Sequence, residues 1–332
     1  MKLNMVQFGL GPIGMEILKM GYHSPDVLVI GAVDVDPDKI GKNIGALAEA
    51  EGSDSYVVSN INSLPSNKGK KVAIHATGSN LVKVWPQIRE LLDHGFSVVS
   101  TCEELSYPFH RYPELAKEIN EYSKQKGQIV IGTGVNPGFI MDTMVLCLTA
   151  VTKSISKVTV SRKVDVSKRR IPLQKKVGIG MTKEEFEGLA RDNKIGHVGL
   201  EESLRLIAYG LNWEVGEVNN QIEPTVSSEN VDLALTSLKV GQVSGLHQVS
   251  TAKTKDGKEI ILDLVMSVGV QQADEIIVEG DAIHRLLIPD GIFGDTATSA
   301  IAINCAKLVN QSNQVGLLTM ADLGLPRNIH NL

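Results

Sequence analysis

An α/β chain, with a doubly wound parallel sheet and a second α+β domain, is the fold class that this sequence predicts. Three observations predict it. A glycine-rich turn sits between a short apolar strand and a helical pattern at the start of the chain. Apolar strand-like runs then alternate with helical periodicity. Near residue 150 that alternation gives way to period-two runs and a hairpin turn.

Met5-Val6-Gln7-Phe8 is the first strand, and Ile13, Ile17 and Leu18 mark the helix after it. Between them stands Gly9-Leu10-Gly11-Pro12-Ile13-Gly14. A second apolar run, Val27-Leu28-Val29-Ile30-Gly31-Ala32-Val33, ends at Asp34, twenty residues past Gly14. Strand, GxGxxG turn, helix and a distant acid together are the Rossmann dinucleotide signature. The first glycine permits the tight turn, and the second lets backbone approach a pyrophosphate. The third lets helix pack on strand, and the helix N-terminus supplies donors to the phosphates. Gly9, Gly11, Pro12, Ile13, Gly14 and Asp34 are therefore cofactor candidates, with NAD or NADP as the cofactor. Asp34 matches a ribose 2′-OH and favours NAD, while Lys39 and Lys42 nearby offset its repulsion of a 2′-phosphate.

Further strands follow at Val72-Ala73-Ile74-His75-Ala76-Thr77, Phe96-Ser97-Val98-Val99-Ser100 and Gln128-Ile129-Val130-Ile131. Helices are expected over 81–92 and 112–125. In the second domain, 157–166 alternates as an antiparallel strand would. Asp256-Gly257 reads as a hairpin turn before Ile260-Ile261-Leu262-Asp263-Leu264. Ile276-Ile277-Val278 is a short strand, and helices are expected near 183–190 and 199–208. A small-residue apolar helix over 296–309 is expected to return to the first domain. The domains are thus 1–145 plus about 295–332 for the dinucleotide, and 146–294 for substrate and oligomerisation.

Composition bounds the function. With 42% hydrophobic and 21% charged residues, the chain has a globular core to bury. Its formal net charge of -5 offers no basic field for nucleic acid. The N-terminal apolar run is too short for a signal peptide, and no stretch reaches membrane-span length. Cys102, Cys147 and Cys305 lie far apart without metal-ligand spacing, as reduced thiols of a cytoplasmic protein would. No metal site and no Ser/His/Asp triad is expected.

The chemistry is expected at strand ends, where doubly wound sheets bind ligands. Thr77-Gly78-Ser79, Thr101-Cys102-Glu103-Glu104 and Gly132-Thr133-Gly134-Val135-Asn136-Pro137-Gly138-Phe139 end three strands on the nicotinamide side. Asn136 suits either the nicotinamide carboxamide or a turn before Pro137, and the two roles are compatible. Glu103 and Glu104 leave a strand, so one would face the cleft and the other solvent. A carboxylate in a partly apolar pocket can shuttle protons near neutral pH. Lys168-Arg169-Arg170, with Lys175-Lys176 beyond, reads as either a carboxylate grip or a solvated face. His197 precedes a helix start and reads as a cleft residue or a packing histidine. Phe139, Arg169, Arg170 and His197 are the substrate-side candidates.

These motifs together resemble the 2,4-diaminopentanoate dehydrogenases and the native amine dehydrogenases, distant relatives of dihydrodipicolinate reductase. The resemblance rests on the glycine turn and on Thr101-Cys102-Glu103-Glu104-Leu105-Ser106-Tyr107-Pro108. It also rests on the 132–139 segment, on Arg169-Arg170-Ile171-Pro172-Leu173-Gln174-Lys175-Lys176 and on His197-Val198-Gly199-Leu200-Glu201-Glu202-Ser203. The reductase's His-His pair and Lys-rich loop are absent. The resemblance implies NAD(P)-dependent, reversible oxidative deamination, with ketone and ammonia as products. It places the proton shuttle on a glutamate of the Cys-Glu-Glu-Leu segment, carried here to Glu104 with Glu103 as fallback. The basic cluster favours the diamino acid over a simple amine. A homodimer is expected. The competing readings are a simple-amine dehydrogenase, a homoserine or diaminopimelate dehydrogenase, and a non-catalytic nucleotide sensor.

Overall fold

The computed structural model describes residues 2–50, 53–64, 69–233 and 235–324. The chain divides into two compact units: Met1–Phe139 with Phe293–Gly324, and Ile140–Ile292. Residues 325–332 of the expected dinucleotide domain lie outside the described residues.

The first unit begins with β1 (Leu3–Phe8), α1 (Pro12–Tyr22), β2 (Val27–Val33), the short α2 (Ile44–Leu47) and β3 (Val57–Val58). It continues through β4 (Val72–His75), α3 (Leu81–Asp93), β5 (Ser97–Ser100), α4 (Pro113–Gln125) and β6 (Ile129–Gly132). Pro12 at the first helical position and Gly11 at the N-cap open α1, a pairing that leaves no orphan donor at the proline. Val6, Ala73, Val98 and Val130 from neighbouring strands form one core with Leu81, Ile88 and Leu92 of α3 and Ala116 and Ile119 of α4. Residues alternating with these face the other way; Met5 does so and lies against Gly21 of α1.

The second unit holds α5 (Thr143–Thr149), β7 (Ile155–Asp165), α6 (Ile171–Lys176), α7 (Lys183–Arg191), α8 (Leu200–Gly210) and β8 (Asn219–Val226). A small ribbon, β9 (Val231–Asp232) and β10 (Ser237–Leu238), follows, then β11 (Val243–Lys253), β12 (Glu259–Ser267), β13 (Ala273–Gly280) and β14 (Ile283–Pro289). The strands form a six-stranded sheet in the order β14-β13-β7-β12-β11-β8. Asp256-Gly257 lies in the turn between β11 and β12, which pair antiparallel, and Gly257 there has φ +88°. The structure corrects the expected character of 157–166. β7 pairs antiparallel with β13 but parallel with β12. Its alternation reports one covered face, and a covered face does not specify strand direction. α8 packs on β11 and β12, and α5 packs on α8 and β13.

The chain then returns to the first unit through α9 (Gly294–Gln311) and β15 (Gly316–Leu318). α9 packs against α1, β1, β4 and β5. The first sheet is seven-stranded, all parallel, in the order β15-β6-β5-β4-β1-β2-β3. Strand order reverses at β1, between β2 and β4, which is where such sheets open a ligand crevice.

Candidate functional site

The glycine turn lies at this crevice and fits a dinucleotide by its geometry. Gly9 has φ +89°, and a Cβ there would meet Ala76 O and Thr77 Cγ2 at 2.7 Å. A Cβ on Gly14 would meet Gly9 O at 2.0 Å, so only glycine lets α1 approach the turn. A Cβ on Gly11 would meet nothing within 4 Å, so that face of the loop is open for a ligand. These three environments match the three roles glycine plays around a pyrophosphate.

Asp34 follows β2 and faces the same turn. Its Oδ2 accepts the Leu10 N–H at 2.5 Å and its Oδ1 accepts the Asp36 N–H at 2.8 Å. Lys39 Nζ lies 3.6 Å from Asp34 Oδ2 and 3.1 Å from Asp36 Oδ2. Hydrogen bonding to the Asp38 N–H and then to Lys39 holds the Asp36 carboxyl below its ordinary value.

Thr77 and Gly78 are exposed after β4, and Ser79 is half-buried. Thr101 is half-buried after β5. Cys102 is fully buried, its Sγ–H donates to Ser79 O at 3.1 Å, and burial pushes its thiol up to about 12. Its N–H donates to Ser100 Oγ and its carbonyl accepts the Leu105 N–H, both at 3.1 Å, so the residue is enclosed and is no nucleophile.

Glu103-Glu104-Leu105 forms a 3₁₀ turn rather than extended chain. The expected strand-like alternation of the two glutamates is thus corrected, because a 3₁₀ turn rotates successive side chains by about a third of a circle. Glu103 is half-buried and Glu104 is 8% exposed. Three donors meet at Glu104 Oε2: the Leu81 N–H at 2.7 Å, Tyr112 O–H at 3.0 Å and Asn80 Nδ2 at 3.1 Å. Among the described residues, Oε1 receives only the long Asn80 contact of 3.4 Å. The carboxylate sits at the N-terminus of α3, which favours negative charge there. Burial, and then its bond to Glu104, raise the Tyr112 phenol above its ordinary value, so it stays a donor.

Asn136 is half-buried after β6, with its Oδ1 buried and without a hydrogen-bond partner among the described residues. A buried acceptor of that kind is what a carboxamide N–H would satisfy. Phe139 ends this loop half-buried.

In the second unit the basic cluster splits. Lys168 and Lys175 are exposed, Lys176 and Arg170 are half-buried, and Arg169 is 8% exposed. Arg169 lies near the buried pair of Arg162 and Asp274, whose guanidinium and carboxylate meet at 2.7 Å. Burial and then Arg169 lower the Arg162 pKa, against the opposing pull of Asp274. Gln174 holds the loop by donating its Nε2 to Val166 O and Ser167 O, both at 3.0 Å. The His197 loop is held separately. The His197 N–H donates to Gln248 Oε1 at 2.9 Å, and Gln248 Nε2 returns a bond to His197 O at 3.3 Å.

The structure thus gathers the glycine turn, Asp34, 77–79, 101–104 and Asn136 at one sheet edge of the first unit. Arg169, Arg170 and His197 occupy two loops of the second. The sequence reading missed Asn80, Tyr112, Gln174 and Gln248. Asn80 alone carried a local signal, as a helix N-cap before an apolar run.

Fold and loop together define a Rossmann-type protein shaped to hold a dinucleotide. The model of the 2,4-diaminopentanoate dehydrogenase C-terminal domain matches residues 139–332, and the chain belongs to that family. It is 28% identical to the 2,4-diaminopentanoate dehydrogenase of Acetoanaerobium sticklandii, over 99% of this chain and 95% of the relative. Its fold matches the amine dehydrogenase of Mycobacterium smegmatis with a TM-score of 0.85 at 21% identity, covering 100% and 98% of the two chains. A protein of gentamicin A biosynthesis, in complex with NAD, matches with a TM-score of 0.59 at 12% identity, covering 97% and 90%.

Proposed function

We propose that this chain is an NAD(P)-dependent dehydrogenase of the CH–NH2 bond, converting 2,4-diaminopentanoate and water to 2-amino-4-oxopentanoate and ammonia, reversibly. The observation that carries this reading is the shared sheet edge, where the open glycine turn and the Glu103–Glu104 turn lie at the ends of β1 and β5. Family membership over the second unit supports the substrate class. A nicotinamide bound at the glycine turn would supply the hydride acceptor for the amine carbon. Glu104 takes a proton from the substrate ammonium and passes it to solvent before water attacks. It then takes a proton from the attacking water and returns it to the amine nitrogen, and the carbinolamine gives up its hydroxyl proton as the carbonyl forms and ammonia leaves. Oε1 is the oxygen for this work, since Oε2 is engaged by three donors. Glu103 is the alternative shuttle. Thr77, Gly78, Ser79 and Thr101 would line the cofactor through backbone and hydroxyl groups, with the enclosed Cys102 supporting their edge, and Asn136 would meet the carboxamide. Phe139, Arg169, Arg170 and His197 are the proposed substrate-side residues, with Arg170 as the partner of the substrate carboxylate.

Two features support the setting. The three cysteines are free, which fits a reducing, cytoplasmic compartment. Among the described residues no helix is long and apolar enough to cross a membrane. A homodimer is part of the proposal, supported by the exposed apolar side chains Ile283 and Leu287 on edge strand β14.

Following reduced cofactor by absorbance tests the reading. 2,4-Diaminopentanoate should be oxidised with stoichiometric ammonia release. Turnover of simple amines alone, of homoserine or diaminopimelate, or of nothing at all would replace it with the matching competitor.

A further inference from the structure

We infer that His75 is a positioning residue that joins the cofactor loop to the acid–base turn. The inference rests on the reading of this edge given above. His75 ends β4 with no exposed surface, and its ring stacks on Phe8 at 5.6 Å, immediately before the glycine turn. Nδ1 lies 2.9 Å from Ser100 Oγ at the end of β5. Nε2 lies 2.8 Å from Gln87 Oε1 on α3 and 2.8 Å from Thr77 Oγ1.

Burial lowers the ring pKa to about 4, so the imidazole is neutral and has one donor and one acceptor. The neighbours select the tautomer. Thr77 O–H donates to Gln87 Oε1 at 2.6 Å. A proton on Nε2 then faces only acceptors, and Nδ1 accepts from Ser100 O–H. Ser100 Oγ in turn accepts the Cys102 N–H at 3.1 Å.

The ring therefore reaches two places at once. Through Nε2 it fixes Thr77, whose methyl packs where Gly9 has no Cβ. Through Nδ1 it fixes Ser100 and the backbone that opens the Glu103–Glu104 turn. Each nitrogen serves one half of the reaction geometry, and misplacing either half lowers a different kinetic constant.

Shorter and longer amides separate the two halves. Asparagine at 75 reaches only the Nδ1 position, and glutamine reaches the Nε2 position. Cofactor affinity is read by NADH fluorescence titration, and kcat by amine oxidation at saturating cofactor. His75→Asn should weaken NADH binding about tenfold, with the smaller effect on kcat, and His75→Gln should lower kcat about tenfold with NADH affinity kept, the scale of one lost hydrogen bond. Ser100→Ala should behave as His75→Gln does, and it decides the matter if the His75 variants fail to fold. Equal changes in both constants for both His75 variants, or an unchanged kcat in Ser100→Ala, would overturn the inference while leaving the enzyme reading intact. Wild-type protein that does not bind NADH would overturn both.

Discussion

The backbone N–H of Leu81, at the start of α3, donates to Oε2 of Glu104 at 2.7 Å. This bond ties the turn after β5 to a helix N-terminus and presents Oε1 as the less engaged oxygen. Glu104→Gln keeps an oxygen for the Leu81, Asn80 and Tyr112 donors but cannot exchange a proton. We expect native folding and NADH binding, with turnover lower by about 10² or more, the usual scale for a lost general acid–base. Glu103→Gln should be mild. The reverse pattern would move the shuttle to Glu103, and two active variants would remove glutamate from the mechanism.

The glycine turn yields a contrast between fold and binding. Gly11 has φ -62°, and a methyl there meets nothing in the protein. Gly11→Ala should keep the wild-type melting temperature while raising the cofactor KM, because the methyl enters the space a pyrophosphate needs. Gly14→Ala drives its methyl into Gly9 O and should cost about 1–3 kcal/mol of stability. Thermal melts with NADH titrations check both. Normal cofactor binding by Gly11→Ala would place the dinucleotide elsewhere.

Cofactor choice turns on Asp34 and Lys39. With its carboxylate at the end of β2, Asp34 should favour NAD(H), and Lys39, 3.6 Å away, should keep NADP(H) usable. Lys39→Ala should therefore reduce kcat/KM for NADP(H) more than for NAD(H). A wild-type preference for NADP(H) above about tenfold, or about 1.4 kcal/mol, would contradict the role assigned to Asp34.

Arg169 and Arg170 should separate in their effects. Arg170→Ala should raise KM for 2,4-diaminopentanoate far more than for an amine without a carboxylate, by the roughly 1.5–3 kcal/mol of a charge-assisted contact. Arg169→Ala removes a buried side chain and should lower stability and impair both substrates alike. Equal KM effects of Arg170→Ala on the two substrates would leave that arginine without a substrate role.

Acid should destabilise the first unit through His75. Its folded pKa of about 4 lies below the ordinary 6.5, so the unfolded chain binds the extra proton as pH falls through that window. This contribution is present above pH 6.5 and lost on acidification, amounting to about 2 kcal/mol between pH 7 and pH 5. Denaturant unfolding at the two pH values should show a smaller loss in His75→Gln than in wild type. Identical losses would mean the ring is protonated within the fold.

What the sequence determined by itself was local. The turn Gly9–Gly14 with Asp34 beyond it, the strand-helix alternation and the hairpin at Asp256-Gly257 are encoded in short-range spacing and turn chemistry, and they sufficed for the Rossmann unit and its α+β companion. The Cys-Glu-Glu-Leu segment and its neighbours sufficed for the family. Tertiary structure decided the rest. Alternation in 157–166 could not say that β7 runs parallel to β12, because both directions bury the same face. Nor could adjacency in sequence separate exposed Lys168 from buried Arg169, since burial depends on segments packed from afar. The donors around Glu104 come from Asn80, Leu81 and Tyr112, and the hydrogen-bond partners of His75 are Thr77, Gln87 and Ser100. Those partners meet only when parallel strands bring their carboxyl ends to one edge, a long-range ordering that no local pattern contains.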